Sequence, residues 1–260
     1  MTKTAVITGA SSGIGAAYAK RLAADGYDLI LTGRRQEIIR KLADELTDKH
    51  KIKVTVLIVE LSDDNDIQKV IDTITSTDDV EVLINNAGFS PDEKHFMGME
   101  FRDVERMIKV HQIVPVRLAY SIVPKMEKRR KGTIINVSSG GAYLPSPNII
   151  IYGATKAFIQ MFSESLYMDL RRKGIKVQAL CPGLTKTDFH RELSEKRYKM
   201  ISSNYRWMTA DEVVDYSLKC LKKNNRAICI PGIRNRLISA LIPALPKPIY
   251  YRIAERMTRE

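Results

Sequence analysis

Short apolar runs alternate along the whole chain with longer stretches in which apolar residues recur every three or four positions. The runs fall at 4–8 (TAVIT), 28–32 (DLILT), 53–59 (KVTVLIV), 80–85 (VEVLIN), 132–138 (GTIINVS), 176–181 (KVQALC) and 227–230 (AICI). Their length and β-branched content predict strands. Stretches such as GIGAAYAKRLAADG and DDNDIQKVIDTITS have the three- and four-residue spacing of amphipathic helices. Repeated strand and helix alternation predicts an α/β fold, a doubly wound parallel sheet of about seven strands with helices on both faces. Ligands in such sheets bind beyond the carboxyl ends of the strands, where the strand order reverses. The residues directly after each strand are therefore the candidates for chemistry.

With 260 residues and no Gly/Ser linker, low-complexity tract or repeat, residues 1–260 are expected to form one domain. Only four apolar residues precede Gly9, too few for the core of a signal peptide. Cys181, Cys220 and Cys229 lack C-x-x-C spacing, so neither a disulfide framework nor a metal site is expected. These features predict a soluble, cytoplasmic protein. The net charge of +12 fits nucleic acid, an acidic membrane surface or a small polyanion. No nucleic-acid-binding motif accompanies it, so phosphate-bearing small molecules are the more economical partners.

TAVIT leads into GASSGIG, which puts Gly9, Gly13 and Gly15 between a predicted strand and a predicted helix. Glycines there let a pyrophosphate approach backbone N–H groups at the positive end of a helix. A turn that needs glycine only for its backbone angles is the plainer alternative. The second strand ends in Gly33, Arg34 and Arg35, without a carboxylate. An acid at that place holds the ribose 2′-hydroxyl of NAD, whereas guanidinium groups suit the 2′-phosphate of NADP. NADP(H) is therefore the expected cofactor, against the alternative of two solvated arginines opening a helix.

Five motifs, T-G-A-S-S-G-I-G (8–15), N-N-A-G (85–88), I-N-V-S-S (135–139), Y-G-A-T-K (152–156) and C-P-G-L-T-K-T (181–187), stand in an order that closely resembles the short-chain dehydrogenase/reductase family. The resemblance covers nearly the whole chain and implies a Rossmann-type fold and an oxidoreductase. It implies Ser139, Tyr152 and Lys156 as catalytic residues, Ser139 being chosen over Ser138 because it lies thirteen residues before Tyr152. Tyr152 and Lys156, at i and i+4, share a helix face. A nearby ammonium is expected to lower the phenol from its ordinary value and fit it for acid-base exchange with a carbonyl or alcohol oxygen. The cofactor residues implied are Thr8, Gly9, Ser11, Ser12, Gly13, Ile14, Gly15, Arg34, Arg35, Glu60, Leu61, Asn86, Ala87, Gly88, Tyr152, Lys156, Pro182, Gly183, Leu184, Thr185 and Thr187. Glu60 stands where the family usually has an adenine-contacting Asp.

One position departs from the family. The phrase that usually carries a fourth catalytic residue, an asparagine, reads KVHQIVP and places His111 there. Either the imidazole serves the proton relay through its two nitrogens, or it is a locally satisfied helix residue. The second reading motivates an alternative function, a dinucleotide-binding sensor or scaffold with weak catalysis.

Residues near 184–208 read as a substrate lid, with Phe189, Tyr198, Met200, Ile201, Tyr205, Trp207 and Met208 as apolar lining and Lys186, Arg191, Lys196, Arg197 and Lys199 as basic neighbours. The sequence around Tyr152 is similar to the branch with 17β-hydroxysteroid and very-long-chain 3-oxoacyl-CoA reductases. That resemblance implies a hydrophobic carbonyl or alcohol substrate, such as a 3-oxoacyl thioester or steroid-like ketone, and a homo-oligomer. The segment 233–260 is amphipathic and net basic, interrupted by Pro243, Pro246 and Pro248. It either packs on the domain or a second subunit, or makes peripheral contact with an anionic membrane.

Overall fold

Strands whose side chains alternate between two faces can bury both only if helices cover both. A computed structural model, which describes residues 3–90, 96–147, 149–190, 207–223 and 226–258, has this arrangement. In chain order the elements are β1 (Lys3–Thr8), α1 (Gly13–Ala24), β2 (Tyr27–Gly33), α2 (Gln36–His50), β3 (Val54–Ile58), α3 (Asp64–Ser76) and β4 (Val80–Asn85). They continue with α4 (Phe101–Ile108), α5 (Val114–Arg129), β5 (Gly132–Val137), α6 (Ile150–Leu170), β6 (Ile175–Leu180) and β7 (Thr185–Lys186). The last are β8 (Met208–Thr209), α7 (Ala210–Lys223), β9 (Ile228–Cys229), α8 (Ile233–Leu241) and α9 (Lys247–Thr258).

Seven strands form one sheet in the order β3-β2-β1-β4-β5-β6-β9, and every pairing is parallel. All seven predicted runs are in it, with the third and seventh shortened to Val54–Ile58 and Ile228–Cys229. Register alternates the faces cleanly. Ala5 and Ile7 of β1 and Leu29 and Leu31 of β2 join one core with α1, α2 and α7. Val6 and Ile30 join the opposite core with Ile67 and Val70 of α3 and Leu118 and Ile122 of α5. The chain winds outward through β2 and β3 on one side of β1, then through β4, β5, β6 and β9 on the other. The reversal lies between β1 and β4, where a ligand crevice is expected.

The short strands β7 and β8 pair beyond the carboxyl end of the sheet. Most of the predicted lid, 191–206, including Tyr198, Met200, Ile201 and Tyr205, lies outside the described residues. The C-terminal prolines divide their segment into two helices, because Pro243 stands in the turn after α8 and Pro246 just before α9. No helix among the described residues is long and apolar enough to cross a membrane.

Buried polar side chains tie the layers together. The Tyr18 hydroxyl on α1 donates to Ser217 Oγ on α7 at 2.6 Å, and the Ser217 hydroxyl donates to Gln178 Oε1 on β6 at 2.5 Å. Burial pushes the Tyr18 phenol far up, so it stays a donor at any ordinary pH. Tyr18→Phe is expected to lower unfolding stability by about 1 kcal/mol in a urea titration. Dinucleotide affinity should stay the same, because this chain of bonds runs on the far side of α1 from the Gly-rich turn.

Candidate active site

The turn after β1 meets the end of β4 at the sheet reversal. Gly9 has a left-handed φ of +66°, and a Cβ on Gly15 would press into the Gly9 carbonyl oxygen and lie 2.6 Å from Asn86 Nδ2. This closeness keeps the start of α1 open to a ligand. Helix α1 has no side-chain cap, because the Ser12 hydroxyl accepts instead from Arg35 Nη2 at 2.5 Å. Arg35 also reaches Ser11 Oγ at 3.0 Å and the Asp188 carboxylate at 3.0 Å. Arg34 Nη1 donates to Glu60 Oε2 at 3.1 Å, and Arg106 approaches the same oxygen at 3.6 Å. Although partial burial opposes it, hydrogen bonds from Ser62 and the Arg34 guanidinium hold the Glu60 carboxyl below its usual range.

Asn86 fixes this corner. Its side-chain amide donates to the carbonyls of Thr8 (2.9 Å) and Gly9 (3.0 Å), while the Thr8 hydroxyl accepts from the N–H groups of Asn86 and Ala87. The side chain of Asn86 is thus spent on the protein, and that of Leu61 lies in the core. On the other flank, Pro182 accepts from Gly140 N–H at 2.8 Å, Leu184 accepts from Met208 N–H at 3.1 Å, and the Thr187 side chain lies over Gly13. Gly183 packs against Asn235 of α8, and the Thr185 hydroxyl turns back to the Gly183 carbonyl at 3.0 Å. Gly88 sits beside both His111 and Lys156, which brings the N-N-A-G motif to the predicted catalytic residues. Ile14 and Gly13 begin α1 itself.

Strand β5 and helix α6 deliver those residues. Ser138 is buried, and its hydroxyl donates to the Lys156 carbonyl at 2.7 Å. Ser139 instead hydrogen-bonds the Tyr152 phenol and accepts from Gly141 N–H at 3.1 Å. Lys156 is 5% exposed; its Nζ donates to the Val137 carbonyl at 2.9 Å and stands 5.7 Å from the Tyr152 ring centroid. Phe189 packs against Tyr152 with ring centroids 5.7 Å apart.

The expected lowering of the phenol is corrected here. Burial pushes Tyr152 above its ordinary 10.0, and the Ser139 hydrogen bond only partly offsets this. Burial also pushes the Lys156 ammonium down to about 8. Sequence spacing put the ammonium on the same helix face, but desolvation, which spacing does not report, dominates.

His111 lies in a π-helical turn, Lys109–Ile113, between α4 and α5, and is 2% exposed. Nε2 accepts from the Phe89 N–H at 3.1 Å. Nδ1 must then carry the proton, donated to Thr155 Oγ1 at 2.9 Å, and the Thr155 hydroxyl passes its own to the Tyr152 carbonyl at 2.8 Å. Burial, with the Lys156 charge adding to it, pushes the imidazole well below 6.5, so it is neutral. Thr155, Asp188 and Arg106 were not among the sequence candidates. Only the position of Thr155 inside Y-G-A-T-K hinted at any of them.

A mainly apolar cavity of about 460 Å³ runs beside the predicted catalytic side chains, between residues 141–150, the first turns of α6, and Tyr251, Ala254 and Glu255 of α9. Gly141 and Gly153 separate it from Tyr152.

Comparison with known proteins places this geometry in a family. Residues 3–198 match the model of the short chain dehydrogenases, and the chain belongs to that family. It is 34% identical over 191 residues to sulfoacetaldehyde reductase 2 of Chromohalobacter salexigens, covering 73% of this chain and 75% of that protein. It is 28% identical over 258 residues to the human very-long-chain 3-oxoacyl-CoA reductase, covering 98% and 79% respectively. A short-chain dehydrogenase from Sphingobium yanoikuyae, solved in complex with NADPH, superposes with a TM-score of 0.82 at 33% identity, covering 93% of each chain. The chain is accordingly an oxidoreductase acting on carbonyl or alcohol groups.

The neutral state of His111 has a consequence for stability. The unfolded imidazole, with its value near 6.5, takes up a proton that the folded one refuses. Stability is therefore expected to rise with pH up to about 6.5 and to fall in more acid solution. In urea titrations between about pH 5 and 7, His111→Asn should flatten this slope. An unchanged slope would mean that folded His111 titrates like a free imidazole.

Proposed function

We propose that the protein is an NADPH-dependent reductase of a hydrophobic ketone or aldehyde, with Tyr152 as the general acid. The observation that carries the reading is the convergence of Ser139, Tyr152 and Lys156 beside a Gly-rich turn whose helix start lacks a side-chain cap. Two arginines at the end of β2 suit the 2′-phosphate of NADP(H), and the related NADPH-bound dehydrogenase supports the same cofactor. Such a cofactor supplies the hydride for carbonyl reduction.

The protein's own part is orientation and proton supply. Ser139 and Tyr152 form a donor pair for one substrate oxygen, the geometry that stabilises charge developing there. The raised phenol is fully protonated at neutral pH, the state required of an acid in the reductive direction. As its proton leaves for the substrate oxygen, the Lys156 ammonium stabilises the phenolate left behind. We assign His111 a positioning role. With one nitrogen held by Phe89 and the other by Thr155, it ties the segment after β4 to the turn of α6 that carries Tyr152. The sensor reading, motivated by His111 in place of asparagine, has no need of Ser139, Tyr152 and Lys156 together, and their convergence argues against it. The mainly apolar cavity lining supports a hydrophobic substrate, whereas the relatives' names span a small sulfonated aldehyde and a very long acyl chain. Exposed Tyr120, Phe158, Met161 and Met168 on α5 and α6 support a homo-oligomer.

Fluorescence titration is expected to give tight NADPH binding, and Arg34→Ala with Arg35→Ala should weaken NADPH about tenfold or more with little effect on NADH. Tyr152→Phe should retain NADPH affinity within about twofold while turnover of 3-oxoacyl thioesters or steroid ketones falls at least about a hundredfold. Failure of folded protein to bind either nucleotide would falsify the reading.

A second outcome concerns pH. Lys156 loses its charge near pH 8. Turnover of the wild type is expected to decline as pH rises through that value. Lys156→Met should retain only a low turnover without this inflection. A wild-type rate that stays level to about pH 10 would show that the ammonium is not needed.

A further inference from the structure

The C-terminal helices carry a surface that the catalytic reading does not use. On α8, Ile233, Leu237 and Leu241 recur every fourth residue and are 61%, 54% and 63% exposed. The exposed apolar positions continue through Leu245 in the turn to Ile249 and Ile253 on α9. Isolated exposed apolar residues are ordinary, but a continuous series of this kind marks a contact surface.

Its charge is mostly positive, with Glu255 near the end of α9 its one acid among the described residues. From Arg226 to Ala254 the chain has five cations, Arg226, Arg234, Arg236, Lys247 and Arg252, and no Asp or Glu. All five are exposed, and among the described residues none forms an ion pair. Elsewhere the protein pairs its cations freely, as Lys109 and Arg117 do with Asp64. A second copy of this chain is a poor occupant, because a two-fold contact lays a patch on itself and would bring like charges together. Apolar side chains bordered mainly by Lys and Arg match the boundary between acyl chains and acidic headgroups.

We infer that α8, α9 and their connecting turn form a docking surface for an anionic lipid bilayer. The other face of α9 bounds the cavity beside Tyr152, since Tyr251 and Ala254 form one cavity wall. Helix α9 is anchored to the opposite wall by the Tyr250 hydroxyl, which donates to the Pro145 carbonyl at 2.8 Å. Docking thus sets the cavity next to the phase in which a lipophilic carbonyl compound dissolves. In this the inference rests on the proposed reductase function and deepens it.

The test is sedimentation of the full-length protein with vesicles of phosphatidylcholine alone or with about 30% phosphatidylserine, at about 0.05 M salt. NADPH binding is measured on the same preparation. The wild type should pellet with the acidic vesicles and not with the neutral ones. Arg234→Gln with Arg236→Gln should weaken partitioning about 25-fold, about fivefold for each cation. Leu237→Ser with Leu241→Ser should weaken it at least about tenfold, and both variants should bind NADPH as the wild type does. Absence of vesicle binding while NADPH still binds would sink the docking surface and leave the reductase reading standing. Vesicle binding without NADPH binding would do the reverse. Conversion of a wild-type dimer to monomer by the leucine changes, with no vesicle binding, would identify a second copy as the occupant and overturn the inference.

Discussion

The site depends on one clamp, the Asn86 side-chain amide donating to the carbonyls of Thr8 and Gly9. Adjacent parallel strands β1 and β4 send their connections to opposite sides, so the sheet opens between their ends. The Asn86 amide closes that opening on the protein side by satisfying two carbonyls that have left the ladder. Gly9 can then turn away with its left-handed backbone, and α1 can start close enough for Gly15 to touch the Gly9 carbonyl. A larger residue at either glycine would push the helix start away from the crevice.

Burial governs the electrostatics of the neighbouring residues. It raises Tyr152, lowers Lys156 and lowers His111, each shift favouring the uncharged form. The three effects suit different tasks. A raised phenol keeps its proton at neutral pH, as the proposed general acid requires. A lysine brought to about 8 keeps its charge at neutral pH while becoming responsive to small changes around it. A neutral imidazole can accept at one nitrogen and donate at the other, which an imidazolium cannot. The π-helical turn that carries His111 is the backbone distortion that brings the ring within reach of both Phe89 and Thr155.

Arg35 joins two regions that the chain separates widely. It spans the Gly-rich turn through Ser11 and Ser12 and reaches Asp188 in the segment after β7. One guanidinium thus ties the Gly-rich turn to the segment after β7. Phe189, the next residue, rests on Tyr152, so the same short segment contacts both Arg35 and Tyr152.

The length and β-branched content of the seven apolar runs marked the strands, and their separation by helix-length stretches marked the parallel sheet, because local backbone geometry and the need to bury both faces act along the chain. Spacing likewise marked the Gly-rich turn and the pairing of Tyr152 with Lys156 on one helix face. The thirteen-residue spacing chose Ser139 over Ser138, and the tertiary structure supplies the reason, since the Ser138 hydroxyl is turned to the Lys156 carbonyl while Ser139 lies on the Tyr152 side. Tertiary structure alone decided the sign of the Tyr152 shift, because desolvation depends on the groups packed around the phenol rather than on its neighbours in the chain. The partners of Arg34, Arg35 and His111, at Glu60, Asp188, Phe89 and Thr155, also became legible only in three dimensions. Arg35 and Asp188 are 153 positions apart in the chain. Hydrogen bonds act through space over about 3 Å, and no periodicity along the chain encodes that distance.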